Sequence, residues 1–173
     1  MDRTRAAVFG LRIGHATVED VWRAACEDIV ESAAVSRAGV WAFSDDRESL
    51  TCLNLFDGGP RRHSRGTILL RTDYPDYFRA ITNNARVVAD DAPLHPATRC
   101  FADTYFKEND VRSLLDFIVL REAVPVGILC CEQSGWRRDW SPADSACLQA
   151  VAMLIGTVFP RCPDDAVVDE PAG

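Results

Sequence analysis

Positive charge is scarce in this chain. Lys107 is the only lysine, and 19 Lys and Arg stand against 26 Asp and Glu, a formal net charge of −7. Gripping a phosphate backbone takes clustered cationic side chains, so an acidic chain without a basic run is excluded from nucleic-acid binding and from docking on anionic membranes. Long apolar runs are missing too: the longest, 150–155, falls far short of the roughly 18 residues of a membrane span. Near the N-terminus the apolar patch is broken by Arg12 and His15, which is not the pattern of a secretory signal. The histidines, His15, His63 and His95, are far apart and have no Cys-x-x-Cys or His-x-x-x-His companion, so no metal is expected. No Gly-x-x-x-x-Gly-Lys loop and no Gly-x-Gly-x-x-Gly turn offers a nucleotide phosphate a cradle, and no cofactor is expected.

What is present is globular. The 173 residues are 47% hydrophobic and 26% charged, and one domain of ordinary size fits that length. The seven cysteines, at 26, 52, 100, 130, 131, 147 and 162, are odd in number and irregular in spacing. They read as reduced thiols packed as small hydrophobes, in a cytoplasmic protein.

A leader, 1–16, precedes Thr17, and Asp20 three residues on completes the pairing of a capping box. Val18, Val21, Trp22, Ala25, Ile29 and Ala33 then recur at helical spacing, with acidic and basic residues between them, predicting an amphipathic helix of about five turns. The runs 39–43 and 50–56 read as a β-hairpin closed off by Asp57-Gly58-Gly59-Pro60. A polar stretch with His63 and Arg65 leads to the apolar 67–70. A second helix starts near Asp73, with Pro75 in its first turn and a stripe of Tyr74, Tyr77, Phe78 and Ile81. After a short strand at 86–89 and an acidic loop at 90–96, a third helix is expected over 96–108, with Asn109 as a left-handed stop. The strongest strand pair is 111–120 with 124–132, whose near-continuous apolar character predicts a central hairpin covered on both faces. Ser141, Pro142 and Asp144 open a last helix running to about Phe159. The remaining 160–173, rich in Pro, Asp and Ala, reads as a disordered acidic tail.

The order helix, hairpin, helix, strand, helix, hairpin, helix describes an α+β sheet with helices on its faces. Three blocks then stand out in order: Asp73-Tyr74-Pro75-Asp76-Tyr77-Phe78-Arg79-Ala80, Val88-Ala89-Asp90-Asp91-Ala92, and Tyr105 with Ser113-Leu114-Leu115-Asp116. They are followed by Val126-Gly127-Ile128-Leu129-Cys130, Glu132, Gly135, Arg138, Trp140, Ser141 and Asp144. On that ordered set, spanning 17–159, the chain resembles the GAF domain family, in particular the N-terminal sensory GAF domains of bacterial diguanylate cyclases and sensor kinases. The resemblance implies a five- or six-stranded, largely antiparallel sheet, with the terminal helices on one face and the short helices and a ligand pocket on the other. It also implies a non-enzymatic regulatory module for signal transduction that binds a small molecule or dimerises to control a signalling partner. Two alternatives remain: an enzyme of the free methionine-R-sulfoxide reductase type, or a ligand-free dimerisation scaffold. Reductases of that type use cysteines in the pocket loops, whereas Ser64-Arg65-Gly66-Thr67 and the loop after Asp90 carry none. Bilin-binding relatives set a Cys beside a His, whereas Cys100 lies between Arg99 and Phe101. The cyclic-nucleotide-sensing signature, Asn-Lys followed by Phe and Asp-Glu, is also absent.

Cys130 and Cys131 are adjacent on a strand and so belong on opposite faces, which forbids a disulfide between them. If Arg121 pairs with Val124, Ser113 falls opposite Glu132, and Asp116 lies on the other face beside Arg112. Asp116 then ties down Arg112 or a loop amide, and Glu132 pairs with Arg137 or Arg138, unless these carboxylates touch a ligand. By resemblance the segment between the third strand and the central hairpin covers the pocket. Asp91, His95, Phe101 and Tyr105 would line it, with Tyr77, Ser113 and Glu132 as neighbours. Phe101 and Tyr105 fit a buried helical stripe equally well. The last helix is apolar nearly all round, so a strip of Leu148, Ile155 and Phe159 is expected to stay open and pair two copies in a homodimer.

Overall fold

The computed structural model describes residues 1–160. The 1–16 leader is itself largely helical: α1 (Asp2–Arg12) lies along α2 (Val18–Ala33). Asp28 of α2 anchors it, accepting from the Thr4 amide at 2.9 Å and the Thr4 hydroxyl at 2.7 Å. The expected capping box opens α2, with Thr17 and Asp20 each bonding the other's amide.

The strands are β1 (Arg37–Phe43), β2 (Ser49–Asp57), β3 (Arg62–Ser64), β4 (Ile68–Leu70), β5 (Arg86–Ala89), β6 (Val111–Arg121) and β7 (Val124–Ser134). They form one antiparallel sheet in the order β3-β2-β1-β7-β6-β5, with β4 sharing the outermost position beside β2. Six strand positions across, with the long hairpin β6–β7 inside the sheet, agree with the expected architecture. The helix α3 (Pro75–Asn84) precedes β5, and α5 (Pro142–Gly156) closes the described chain behind the Ser141–Asp144 capping box.

Two apolar layers result. Beneath α1, α2 and α5, the sheet contributes Val40, Leu115, Val119, Leu129 and Cys131. On the other face, Trp41, Leu114, Ile118, Ile128 and Cys130 pack under α3 and the segment before β6. The adjacent thiols Cys130 and Cys131 therefore serve opposite layers, as their strand position requires.

Three expectations need correction. The central hairpin starts in the expected register, Arg121 opposite Val124, but Val126 is skipped and Val119 faces Gly127. This bulge shifts the strand by one residue, so Ser113 faces Gln133, Leu114 faces Glu132, and Asp116 faces Cys130. Asp116 consequently shares a face with Glu132 and not with Ser113. Secondly, the third helix is a 3-10 turn (Arg99–Phe101), a π turn (Ala102–Phe106) and a last α turn, α4 (Lys107–Asn109). Asp110, at φ 51°, takes the left-handed position assigned to Asn109, whose side chain bonds the Tyr105 carbonyl instead. Thirdly, Leu148, Ile155 and Phe159 are 0, 0 and 2% exposed, so they cannot form an open pairing strip. The helix α1 was not foreseen; with α2 it covers flanks of α5 that would otherwise face solvent. The ring of Phe159 packs against Trp22 with centroids 4.7 Å apart.

No helix among the described residues is long and apolar enough to cross a membrane. The expected acidic tail, Pro160 apart, lies outside the described residues.

Candidate functional site

A cavity of about 260 Å³ lies between the sheet and the layer above it. Its floor is the sheet face of Trp41, Cys52, Leu55, Leu114, Asp116, Cys130 and Glu132. Its roof comes from Tyr74 and Tyr77 at the start of α3 and from Phe101, Thr104, Tyr105, Phe106 and Glu108 of the irregular segment, while Thr67, Ile68 and Leu69 close one side. The roof is built from rings: Tyr74 stacks on Phe101 at 4.5 Å, and Tyr77 meets Phe101 edge-on at 5.2 Å. Apolar walls with a few fixed polar groups are the make-up of a small-molecule site.

Two carboxyl groups sit on the floor, each reached by a tyrosine from the roof. The Tyr77 hydroxyl donates to Asp116 Oδ2 at 2.5 Å, and the Tyr105 hydroxyl reaches both oxygens of Glu132, at 2.8 and 2.9 Å. Their surroundings differ. Glu132 faces the guanidinium of Arg37, Nη1 to Oε2 at 3.6 Å. Burial raises the proton affinity of Glu132, while Arg37 and the Tyr105 bond pull it back. Asp116 has no such cation; burial pushes its carboxyl well above the usual aspartate range, the charge of Glu132 pushes further, and only the Tyr77 bond opposes. Its Oδ1 is buried without a hydrogen-bond partner.

The cysteines beside the cavity are dormant. Burial first, and the charge of Glu132 second, push the Cys52 thiol up to about 11. Burial, Asp116 and Glu132 hold Cys130 well above its usual range, and the nearby Trp41 only partly offsets them. Among the described residues, no group of three or more His, Cys, Asp or Glu side chains is placed to hold a metal.

Of the residues expected in the pocket, Tyr77, Phe101, Tyr105 and Glu132 meet around the cavity, and Asp91, His95 and Ser113 do not. Asp91 accepts from the backbone amide of His95 through its own carbonyl, and its side chain lies 4.0 Å from Arg137. His95 Nδ1 accepts from the Ala97 amide, so both residues shape the loop they sit on. Ser113 is on the opposite side of the sheet, where it donates to the Asp90 carbonyl and accepts from the Arg138 amide, both at 2.7 Å. Arg138 is held by Asp144 at 2.6 Å and is not a partner of Glu132. Asp116 belongs at the site instead. Its one sequence signal is a charged residue in the alternation Leu114, Asp116, Ile118, which points to the cavity only once the bulge is known.

An antiparallel sheet with long helices on one face and a roofed cavity on the other defines a class of small α+β sensory folds. The GAF domain model matches residues 17–159, and the chain belongs to that family. The fold is similar to a phycocyanobilin-bound GAF domain from a cyanobacterial phytochrome, with a TM-score of 0.73 at 16% identity over 91% of each chain. It is also similar to the GAF domain of an Acinetobacter phosphoenolpyruvate-protein phosphotransferase, with a TM-score of 0.70 at 14% identity over 91% of this chain and 90% of that one. Residues 122 to 287 of a methyl-accepting chemotaxis protein align with a TM-score of 0.66 at 14% identity, over 90% of this chain and 91% of that one. No curated protein matches the chain.

Proposed function

We propose that this chain is a non-enzymatic sensory module that binds a small molecule in the cavity and reports its occupancy to a signalling partner. The observation that carries this reading is the pair of roof-to-floor bonds, Tyr77 to Asp116 and Tyr105 to Glu132. A ligand that engages either carboxyl acts on the tyrosine that ties the roof to it, which gives binding a structural output. Bilin-bound GAF domains of similar fold support the reading that such a fold holds a small molecule.

Reductase chemistry is disfavoured by the thiols at the cavity. An attacking cysteine works as the thiolate, and burial holds Cys52 and Cys130 in the thiol form. The six cysteines among the described residues, all free, fit a reducing compartment such as the cytoplasm. A homodimer of such modules would use the outer faces of α1 and α5, where Phe9, Ile13 and Met153 are exposed.

Native mass spectrometry of freshly purified protein tests the reading. A co-purifying small molecule is expected, and Leu114→Trp, which fills the cavity floor, should remove it from a protein that stays folded. A molecule retained by Leu114→Trp lies elsewhere and overturns the reading. No adduct, with no melting shift from any compound of a metabolite set, favours the scaffold alternative.

A further inference from the structure

We propose that the cavity takes a small organic cation, an amine or amidine on a flat apolar body, whose N–H groups are received by Asp116. This rests on the small-molecule reading above and narrows it to a ligand class.

Asp116 is fully buried, Tyr77 occupies Oδ2, and Oδ1 has no hydrogen-bond partner among the described residues. Buried polar atoms are almost always satisfied, so an idle carboxyl oxygen at a cavity wall marks the place of a missing hydrogen-bond partner. Charge narrows the choice of partner. Among the described residues no Lys, Arg or His lines the cavity, and the nearby Arg37 forms ion pairs with Glu132 at 3.6 Å and Asp57 at 3.8 Å. A carboxylate or phosphate ligand would therefore enter beside two carboxyl groups without a cation to meet it. A neutral alcohol or amide could fill the vacant bond but would leave Asp116 in its protonated form; an ammonium or amidinium fills the bond and stabilises the ionised carboxylate, giving a charge-assisted pair.

The walls fit the same class. Trp41, Tyr74, Tyr77, Phe101 and Phe106 surround the space, and aromatic faces attract cations where water is excluded. A volume of about 260 Å³ suits a body of one or two rings.

The test uses three probes on one skeleton: phenethylamine, 2-phenylethanol and 3-phenylpropionate, titrated at pH 7 by protein-observed NMR. The amine should bind at least about tenfold more tightly than the alcohol, as a buried charge pair requires, and the propionate most weakly. Asp116→Asn keeps an acceptor for Tyr77 and should erase the amine's advantage while leaving the alcohol's affinity nearly unchanged. Tyr77→Phe, which retains the carboxyl, should keep the advantage. Equal binding of amine and alcohol, or a preference that survives Asp116→Asn, overturns the inference. If 2-phenylethanol then still binds and Leu114→Trp blocks it, the small-molecule reading stands. Should no probe bind, a co-purified organic cation supports the inference and a co-purified neutral or anionic molecule overturns it alone. No probe binding and no co-purified molecule overturns both.

Discussion

The hydroxyl of Tyr77 on α3 reaches Oδ2 of Asp116 on β6 across 2.5 Å, while the other oxygen of the same carboxyl meets no donor. Half of the group is satisfied and half is idle, in a position closed to solvent. Such an arrangement destabilises the empty protein and persists where a ligand completes it.

Asp116→Asn should therefore stabilise the ligand-free protein. The native state holds the Asp116 proton more tightly than the unfolded chain does. Its carboxyl thus favours the fold below the unfolded aspartate pKa and weighs against it increasingly as pH rises towards the native value. The asparagine variant carries no charge to bury and should therefore be the more stable protein at pH 7. The gain should vanish below about pH 4, the ordinary aspartate range. Urea denaturation of both proteins at a series of pH values measures it, and equal stability throughout contradicts it.

Glu132 should respond differently to substitution, because its partners are already in place. Removing the cation in Arg37→Met strands a buried carboxylate and should cost about 3–5 kcal/mol. Tyr105→Phe, which removes one donor to a charged group, should cost about 1.5–3 kcal/mol. Adding Glu132→Gln to Arg37→Met should recover most of the loss. A double-mutant cycle by chemical denaturation gives the coupling, and additive losses would show that Arg37 acts on something else.

Leu148→Glu and Ile155→Glu should unfold the protomer and should not dissociate an oligomer, since both side chains are fully buried beneath α5. Circular dichroism with analytical ultracentrifugation separates the two outcomes: a folded monomer from either variant would restore these residues to an interface.

Gly127→Ala should loosen the centre of the sheet. A Cβ there would lie 2.1 Å from the Trp41 carbonyl oxygen and 2.7 Å from the Phe159 ring. Backbone cannot yield as a flexible side chain can, so the variant should lose at least about 1–3 kcal/mol to overpacking. Hydrogen exchange should quicken at β1 and β7 together, and unchanged protection there would show that the strands part without cost.

The parts of the fold that were legible in the sequence have local causes. Thr17 with Asp20 and Ser141 with Asp144 announce helix starts because the cap is made by residues three apart. The strand runs around Trp41, Leu53 and Ile128 show themselves by composition. The helix α1 was hidden because its amphipathic signal is weak, with Arg3, Arg5 and Arg12 interspersed, and because Asp28, which anchors it, is 24 residues from Thr4. Tyr77, Phe101 and Tyr105 were recognisable as pocket candidates through the family resemblance, with Phe101 and Tyr105 also offering the apolar wall and polar tip of a small-molecule site. Asp91 and His95 were misplaced, since polar loop residues satisfy their own backbone as readily as they meet a ligand, and Ser113 was misplaced because its position on β6 faces the other side of the sheet.

The bulge at Val126 decides which chemistry the cavity contains. Were Val126 paired with Val119 instead of left out of the ladder, Ser113 would stand opposite Glu132, Leu115 and Phe117 would turn towards the roof, and Asp116 would be carried into the layer beneath α2 and α5. Deleting Val126 would instead leave Val119 opposite Gly127 and Asp116 opposite Cys130 in an unbroken ladder, so both acids would keep their places on the cavity floor. What a lineage must inherit to keep the acid floor is thus the phase of the pairing. Relatives that respond to the same ligand class should set the counterparts of Asp116 and Glu132 on one face, whether their hairpin carries the extra residue or has lost it.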